Sequence, residues 1–140
     1  MSPETWLGVL IFFALLFDFL NGFHDSANVV ATLIASRAMS GGRALLFAAI
    51  AEFTGPFIFG VAVAKTVGSG VVLPEAITIY VVIAALCSAC IWNIVTWYYG
   101  IPSSSSHALI GGIIGAVAIG SGTEVLQSKG IIKILMALLT

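Results

Sequence analysis

Charge is scarce in this chain. Of 140 residues only 8% are Asp, Glu, Lys or Arg, while 60% are hydrophobic and the mean hydropathy is +1.16. A soluble domain carries about a quarter charged residues, so this deficit excludes a soluble enzyme, a nucleic-acid binder and a disordered segment. Lys and Arg number five against six Asp and Glu, and no basic surface invites nucleic acid. Cysteine is down to Cys87 and Cys90, a C-x-x-C amid Ala, Leu, Ile and Trp. There the thiols pack as small hydrophobes rather than as a redox pair, which needs an exposed helix start. The first residues lack the positive segment and cleavage site of a secretory signal, so the first apolar run is expected to stay in the mature protein. What remains is an all-α, multi-pass membrane protein of the cell membrane, with the lipid bilayer as its solvent.

At roughly 20 apolar residues per spanning helix, the chain holds about five or six crossings or half-crossings. Trp6–Phe23 and Val29–Ala35 are apolar, and the polar stretch Asn21–Asn28 separates them. One helix over Trp6–Ser36 would be roughly 46 Å long, too long for a simple span, so a helix broken at Asn21-Gly22 is expected. Arg43–Ala64 is the next span, with Glu52 inside it and a kink at Gly55-Pro56. A Gly-rich connection, Lys65–Pro74, leads to the span Ile77–Tyr99, whose end, Trp97-Tyr98-Tyr99, suits a membrane–water interface. Ser103–Gly120 follows, then a polar stretch, Thr123–Lys129, and a last apolar run in which the sequence stops. That stop reads as a fragment, or as a chain completed by another polypeptide. The positive-inside rule prefers a re-entrant, serine-tipped Ser103–Gly120 over a full crossing. The expected fold is thus a polytopic helical bundle, a single transmembrane domain over residues 1–140.

Three polar features carry chemistry. An ionised carboxylate deep in a bilayer is costly and marks a pathway, a bound cation or a partner charge. Asp25, with Asn28 and Thr32 at i+3 and i+7, offers carboxylate, amide and hydroxyl oxygens on one helix face, the hard ligands of small cations. The plainer reading is an interfacial loop in which Asp25 or Ser26 caps a helix. Glu52 is a second intramembrane acid; its plainer reading is a protonated carboxyl bonded to a neighbouring helix. The third feature is Pro102-Ser103-Ser104-Ser105-Ser106-His107 ahead of Ala108–Gly115. A serine-rich helix start exposes hydroxyls and free N–H groups that bind anions, phosphate above all, although a Ser-rich interfacial loop has the same composition. Gly111 and Gly115 form a G-x-x-x-G at which another backbone can approach closely. Ser, His and Asp also raise an intramembrane hydrolase, but Ser106 and His107 are sequence neighbours, poorly placed to bond each other, and no H-E-x-x-H is present. No catalytic residue is assigned. A small oligomeric ion channel or ion-pathway subunit is the alternative reading from a different class.

Asn21-Gly-Phe-His-Asp25-Ser-Ala-Asn28 with Thr32, Glu52, and Pro102–His107 with Ile110–Gly115 resemble, in order and spacing, the inorganic phosphate transporter (PiT) family. The resemblance implies two inverted repeats and import of phosphate with Na⁺ or H⁺, or as a metal–phosphate complex. This chain matches the first repeat, so the resemblance implies a half transporter, its second repeat a companion chain or a homodimer partner. It further implies that Asp25 and Asn28, with Thr32, hold the coupling cation (Na⁺ in a Na⁺-coupled carrier), and that Glu52 serves coupling or proton handling. Ser104, Ser105 and Ser106 are then the phosphate ligands, supported by Asn21 and His107. The coupling ion is the only cofactor implied.

Overall fold

The computed structural model describes residues 2–59 and 71–139. Helix α1 runs Pro3–Ala35, α2 Gly41–Phe59, α3 Ile79–Tyr99, α4 Ser105–Gly120 and α5 Ser128–Leu139. Single 3₁₀ turns, Pro74–Ala76 and Thr123–Val125, precede α3 and α5. By length and composition α1 and α3 can each cross a membrane. Most of the Gly-rich connection after α2, with Lys65, lies outside the described residues.

Local chemistry sets the helix ends. The Ser2 side chain accepts the Thr5 N–H, Pro3 stands at the first helical position and Glu4 in the first turn, three start signals together. Thr78 caps α3 by accepting the Val81 N–H, and Gly100 ends that helix in the left-handed region at φ 63°. Ser104 caps α4 by accepting the His107 N–H at 3.4 Å.

The expected break at Asn21-Gly22 does not occur: α1 is continuous for 33 residues. Its interior holds no proline, and one glycine costs a helix only about 1 kcal/mol relative to alanine. The polar side chains do not compete for the ladder either. Ser26 Oγ donates back to the Phe23 carbonyl at 3.2 Å, while Asn21 and Asp25 reach sideways to α4. At roughly 50 Å, α1 exceeds the ~30 Å hydrocarbon core, which it accommodates by tilting or projecting.

Helices α1 and α3 run parallel. Trp6 meets Tyr80 edge-on with ring centroids 4.7 Å apart, and Phe23 meets Trp97 at 5.4 Å. The α3–α4 pair is an antiparallel hairpin packed most tightly at Gly112. A Cβ there would lie 2.7 Å from the Ala85 carbonyl oxygen, so only glycine allows the approach. By contrast, nothing lies within 4 Å of a Cβ built at Gly111 or Gly115. Close packing therefore falls on the glycine between the two that the G-x-x-x-G pattern singled out. The hairpin's outer end buries Val71, Val72, Ala76, Val81, Ile110 and Val117 together. Short backbone pairing ties the two flanking segments there: Leu73 N–H to the Val125 carbonyl and Gln127 N–H to the Val71 carbonyl.

Large apolar side chains on α1 and α2, among them Phe12, Leu15, Phe19, Phe47, Phe53 and Phe57, are exposed. An exposed apolar surface of this extent suits lipid or another transmembrane segment rather than water.

Candidate functional site

The polar residues of α1 converge on the start of α4. Asn21 and Asp25, one turn apart, point to the same neighbour, Ser105. Ser105 Oγ donates to Asn21 Oδ1 and lies 3.2 Å from Asp25 Oδ2. Ser105 is buried, whereas the Asp25 side chain is 35% exposed. His24 Nδ1 approaches Asp25 Oδ1 at 3.3 Å, and its ring is only 9% exposed.

One serine proton faces two acceptors here. A hydroxyl donates once, so whichever of Asn21 Oδ1 and Asp25 Oδ2 goes without is free for another donor or a cation. The centre is oxygen-rich, carries one formal negative charge at Asp25, and has acceptors in surplus.

Immediately beside it is the beginning of α4. The first intrahelical bond there is Ala108 N–H to the Ser104 carbonyl. Ser104 Oγ has taken the His107 N–H, so the N–H groups of Ser105 and Ser106 have no partner within the helix. Their dipoles favour an anion. Thr96 Oγ1 on α3 accepts from Ser103 Oγ at 3.1 Å and fixes the turn that leads into α4.

The serines also return into the bundle. The register that sets Gly120 against Val81, Gly112 against Ala85 and Ser103 on Thr96 brings Ser105 level with Asn93. That level is about a turn and a half of α3 inward from Tyr99, roughly 9 Å. An aromatic rim just before the serines is thus compatible with a buried Ser105. The centre sits toward the C-terminal end of α3, not at its middle, because only four residues, 101–104, separate Gly100 from α4.

Of the residues expected to form the site, Asn21, Asp25 and Ser105 come together. Asn28 is exposed and lines a groove of about 280 Å³ with His24, Thr96, Trp97 and Pro102. Thr32 shares the helix face with Asp25 but is exposed and makes no side-chain hydrogen bond among the described residues. Glu52, on α2, is likewise exposed and joined to the centre by no hydrogen bond or ion pair among the described residues. Ser106 is exposed; Ser104 is occupied as a cap. His107 holds the serine turn through its backbone N–H, while its ring lines a separate cleft of about 770 Å³ beside Cys87, Ser88 and Trp92.

Two residues escaped the sequence reading. His24 was inside the motif without a role, and it is the residue touching Asp25. Asn93, on α3, is 2% exposed with neither amide atom hydrogen-bonded. The signal was an amide inside a largely apolar span.

Comparison with known proteins shows what the chain is similar to. Residues 21–140 match the model of the phosphate transporter family. A probable low-affinity inorganic phosphate transporter of Bacillus subtilis (strain 168) is 46% identical over 133 residues, covering 94% of this chain and 40% of that protein. One from Rhizobium meliloti (strain 1021) is 48% identical, covering 89% of this chain and 37% of its own. The low-affinity inorganic phosphate transporter PitA of Escherichia coli (strain K12) is 40% identical, covering 88% and 26%. The chain therefore spans well under half the length of these three relatives. No solved structure matches.

Proposed function

This chain belongs to the phosphate transporter family, and from that membership we propose that it forms part of a secondary transporter importing inorganic phosphate with Na⁺ or H⁺. The family is one of transporters, not enzymes, and its members are membrane proteins. The chain's place is as several passes in the cell membrane. Its second repeat comes from a companion chain or a second copy, and alternating access is rocking of one repeat against the other.

The observation that carries the reading is the Ser105 bridge. It sets a helix start with free N–H groups against the Asp25 carboxylate. A phosphate alone would be repelled by Asp25, and a cation alone by the α4 dipole. Together they compensate: opposite unit charges about 4 Å apart attract by about 4 kcal/mol at an effective dielectric near 20. Coupling follows from that mutual dependence. Asp25, with Asn21 and then Asn28 and Thr32 along α1, handles the cation. Ser105 and Ser106, with Ser104 as cap, receive phosphate, and His107 steadies their turn. Glu52, apart from this centre, handles protons.

Labelled-phosphate uptake into proteoliposomes holding this chain, with Na⁺ and H⁺ gradients imposed separately, tests the reading. Gradient-driven uptake supports it and names the coupling ion; phosphate flux indifferent to both gradients would point to a channel instead.

A further inference from the structure

Asn93 is the one described residue whose buried side-chain polar atoms lack any partner. Both Oδ1 and Nδ2 are sealed from solvent and neither makes a hydrogen bond. Leaving such groups unmet is costly, and the cost is greater within a membrane, where no solvent can substitute. Its location is specific. The α3–α4 register brings Asn93 level with Ser105, and Asn93 shares a cavity of about 150 Å³ with His24, Phe23 and Trp97 of the α1–α3 contact. Asn93 of α3 thus meets His24 of α1 across that cavity and stands level with Ser105 of α4, the residue bonded to Asn21 and Asp25.

We infer that Asn93 is a further ligand-bearing residue of the Asp25–Ser105 centre, and that its amide oxygen receives a dehydrated hard monovalent cation, of which Na⁺ is the probe. This rests on the reading of that centre as the coupling site.

The chemistry selects the occupant. Asp25 Oδ2 and Asn21 Oδ1 share one hydroxyl proton, that of Ser105, and Asn93 Oδ1 has no donor. Among the described residues only the His24 ring stands beside the Asp25 charge, so the junction has acceptors in surplus. Phosphate would add four more acceptors and deepen the mismatch. A proton taken up by Asp25 would neutralise the carboxylate yet leave the Asn93 oxygen unmet. A water in the cavity would meet an amide atom yet leave the Asp25 charge uncompensated. A small bare cation meets carboxylate, amide and hydroxyl oxygens at once, the ligand set such ions take.

The test uses the full chain in lipid nanodiscs. Its thermal unfolding midpoint is followed, with inorganic phosphate present throughout, as NaCl replaces choline chloride at constant ionic strength, since a ligand that binds only the folded state raises the midpoint. The expected result is a saturable rise for the unaltered chain, with the half-saturating Na⁺ concentration about tenfold or more higher in Asn93→Leu, the scale of losing one ligand to a charged group. In the unaltered chain the Asn93 side-chain amide resonances should shift over the same Na⁺ range, a readout that needs no variant to fold. A midpoint that rises with Na⁺ while those resonances stay fixed, or while Asn93→Leu responds as the unaltered chain does, overturns the role of Asn93 and leaves the coupling reading standing. No response of the unaltered chain to Na⁺ overturns the inference together with Na⁺ coupling at this centre.

Discussion

Ser105 Oγ lies 3.2 Å from Asp25 Oδ2 although 80 residues separate them in the chain. Through this contact a helix start suited to an anion and a carboxylate suited to a cation become one structure. Neither the α4 dipole nor the Asp25 charge alone carries the proposal of coupled transport; their adjacency does.

Asp25→Asn keeps the shape and most of the hydrogen bonding but removes the charge. Gradient-driven phosphate uptake should fall about a hundredfold or more, equivalent to about 2.7 kcal/mol of lost cation attraction. Membrane insertion should be unaffected. Normal uptake by this variant would sink the assignment of Asp25 to coupling.

Ser105→Ala and Ser106→Ala should part company. Ser105 is buried and is the only described donor to Asn21 Oδ1, so its loss should destabilise the chain by about 1–3 kcal/mol. Ser106 is exposed, and its replacement should leave stability within about 0.5 kcal/mol while raising the KM for phosphate. Thermal unfolding and uptake kinetics on both variants check the pair; equal destabilisation would contradict the burial difference.

Glu52→Gln should lower proton-driven uptake without altering the half-saturating Na⁺ concentration in the unfolding titration, because no described bond joins Glu52 to the Asp25 centre. A changed Na⁺ response would mean that α2 reaches that centre in another conformation.

Gly112→Ala should destabilise the α3–α4 hairpin by about 1–3 kcal/mol, the usual cost of overpacking, since its Cβ would press on the Ala85 backbone. Gly111→Ala and Gly115→Ala meet nothing and should unfold close to the parent temperature. Destabilisation at Gly111 with tolerance at Gly112 would reverse the packing described.

Much of this was legible in the residues themselves. Asp25 betrays itself as a carboxylate in an apolar run, and the serine block before Ala108 as an anion-friendly helix start. The pairing of Asn21 and Asp25 with Ser105 was not legible, because it depends on how α3 and α4 register against α1. Periodicity marks Gly111 and Gly115 as one face, but the glycine that matters is set by which face meets Ala85. The polar run Asn21–Asn28 reads as a break because an unbroken Trp6–Ser36 helix of roughly 46 Å exceeds a simple span. With Asn21 and Asp25 met across the bundle by Ser105, the α1 ladder stays whole. Asn93 belonged to no motif, and only its missing partners single it out.

The two aromatic contacts between α1 and α3 are spaced alike: the same number of residues separates Trp6 from Phe23 as separates Tyr80 from Trp97. Two bearings in step hold a rod against sliding and against tilting, since either motion would pull one pair apart. Asn21 and Asp25 leave the same helix within two residues of Phe23, so the Phe23–Trp97 bearing that keeps α1 and α3 in step also keeps both side chains at the height of Ser105.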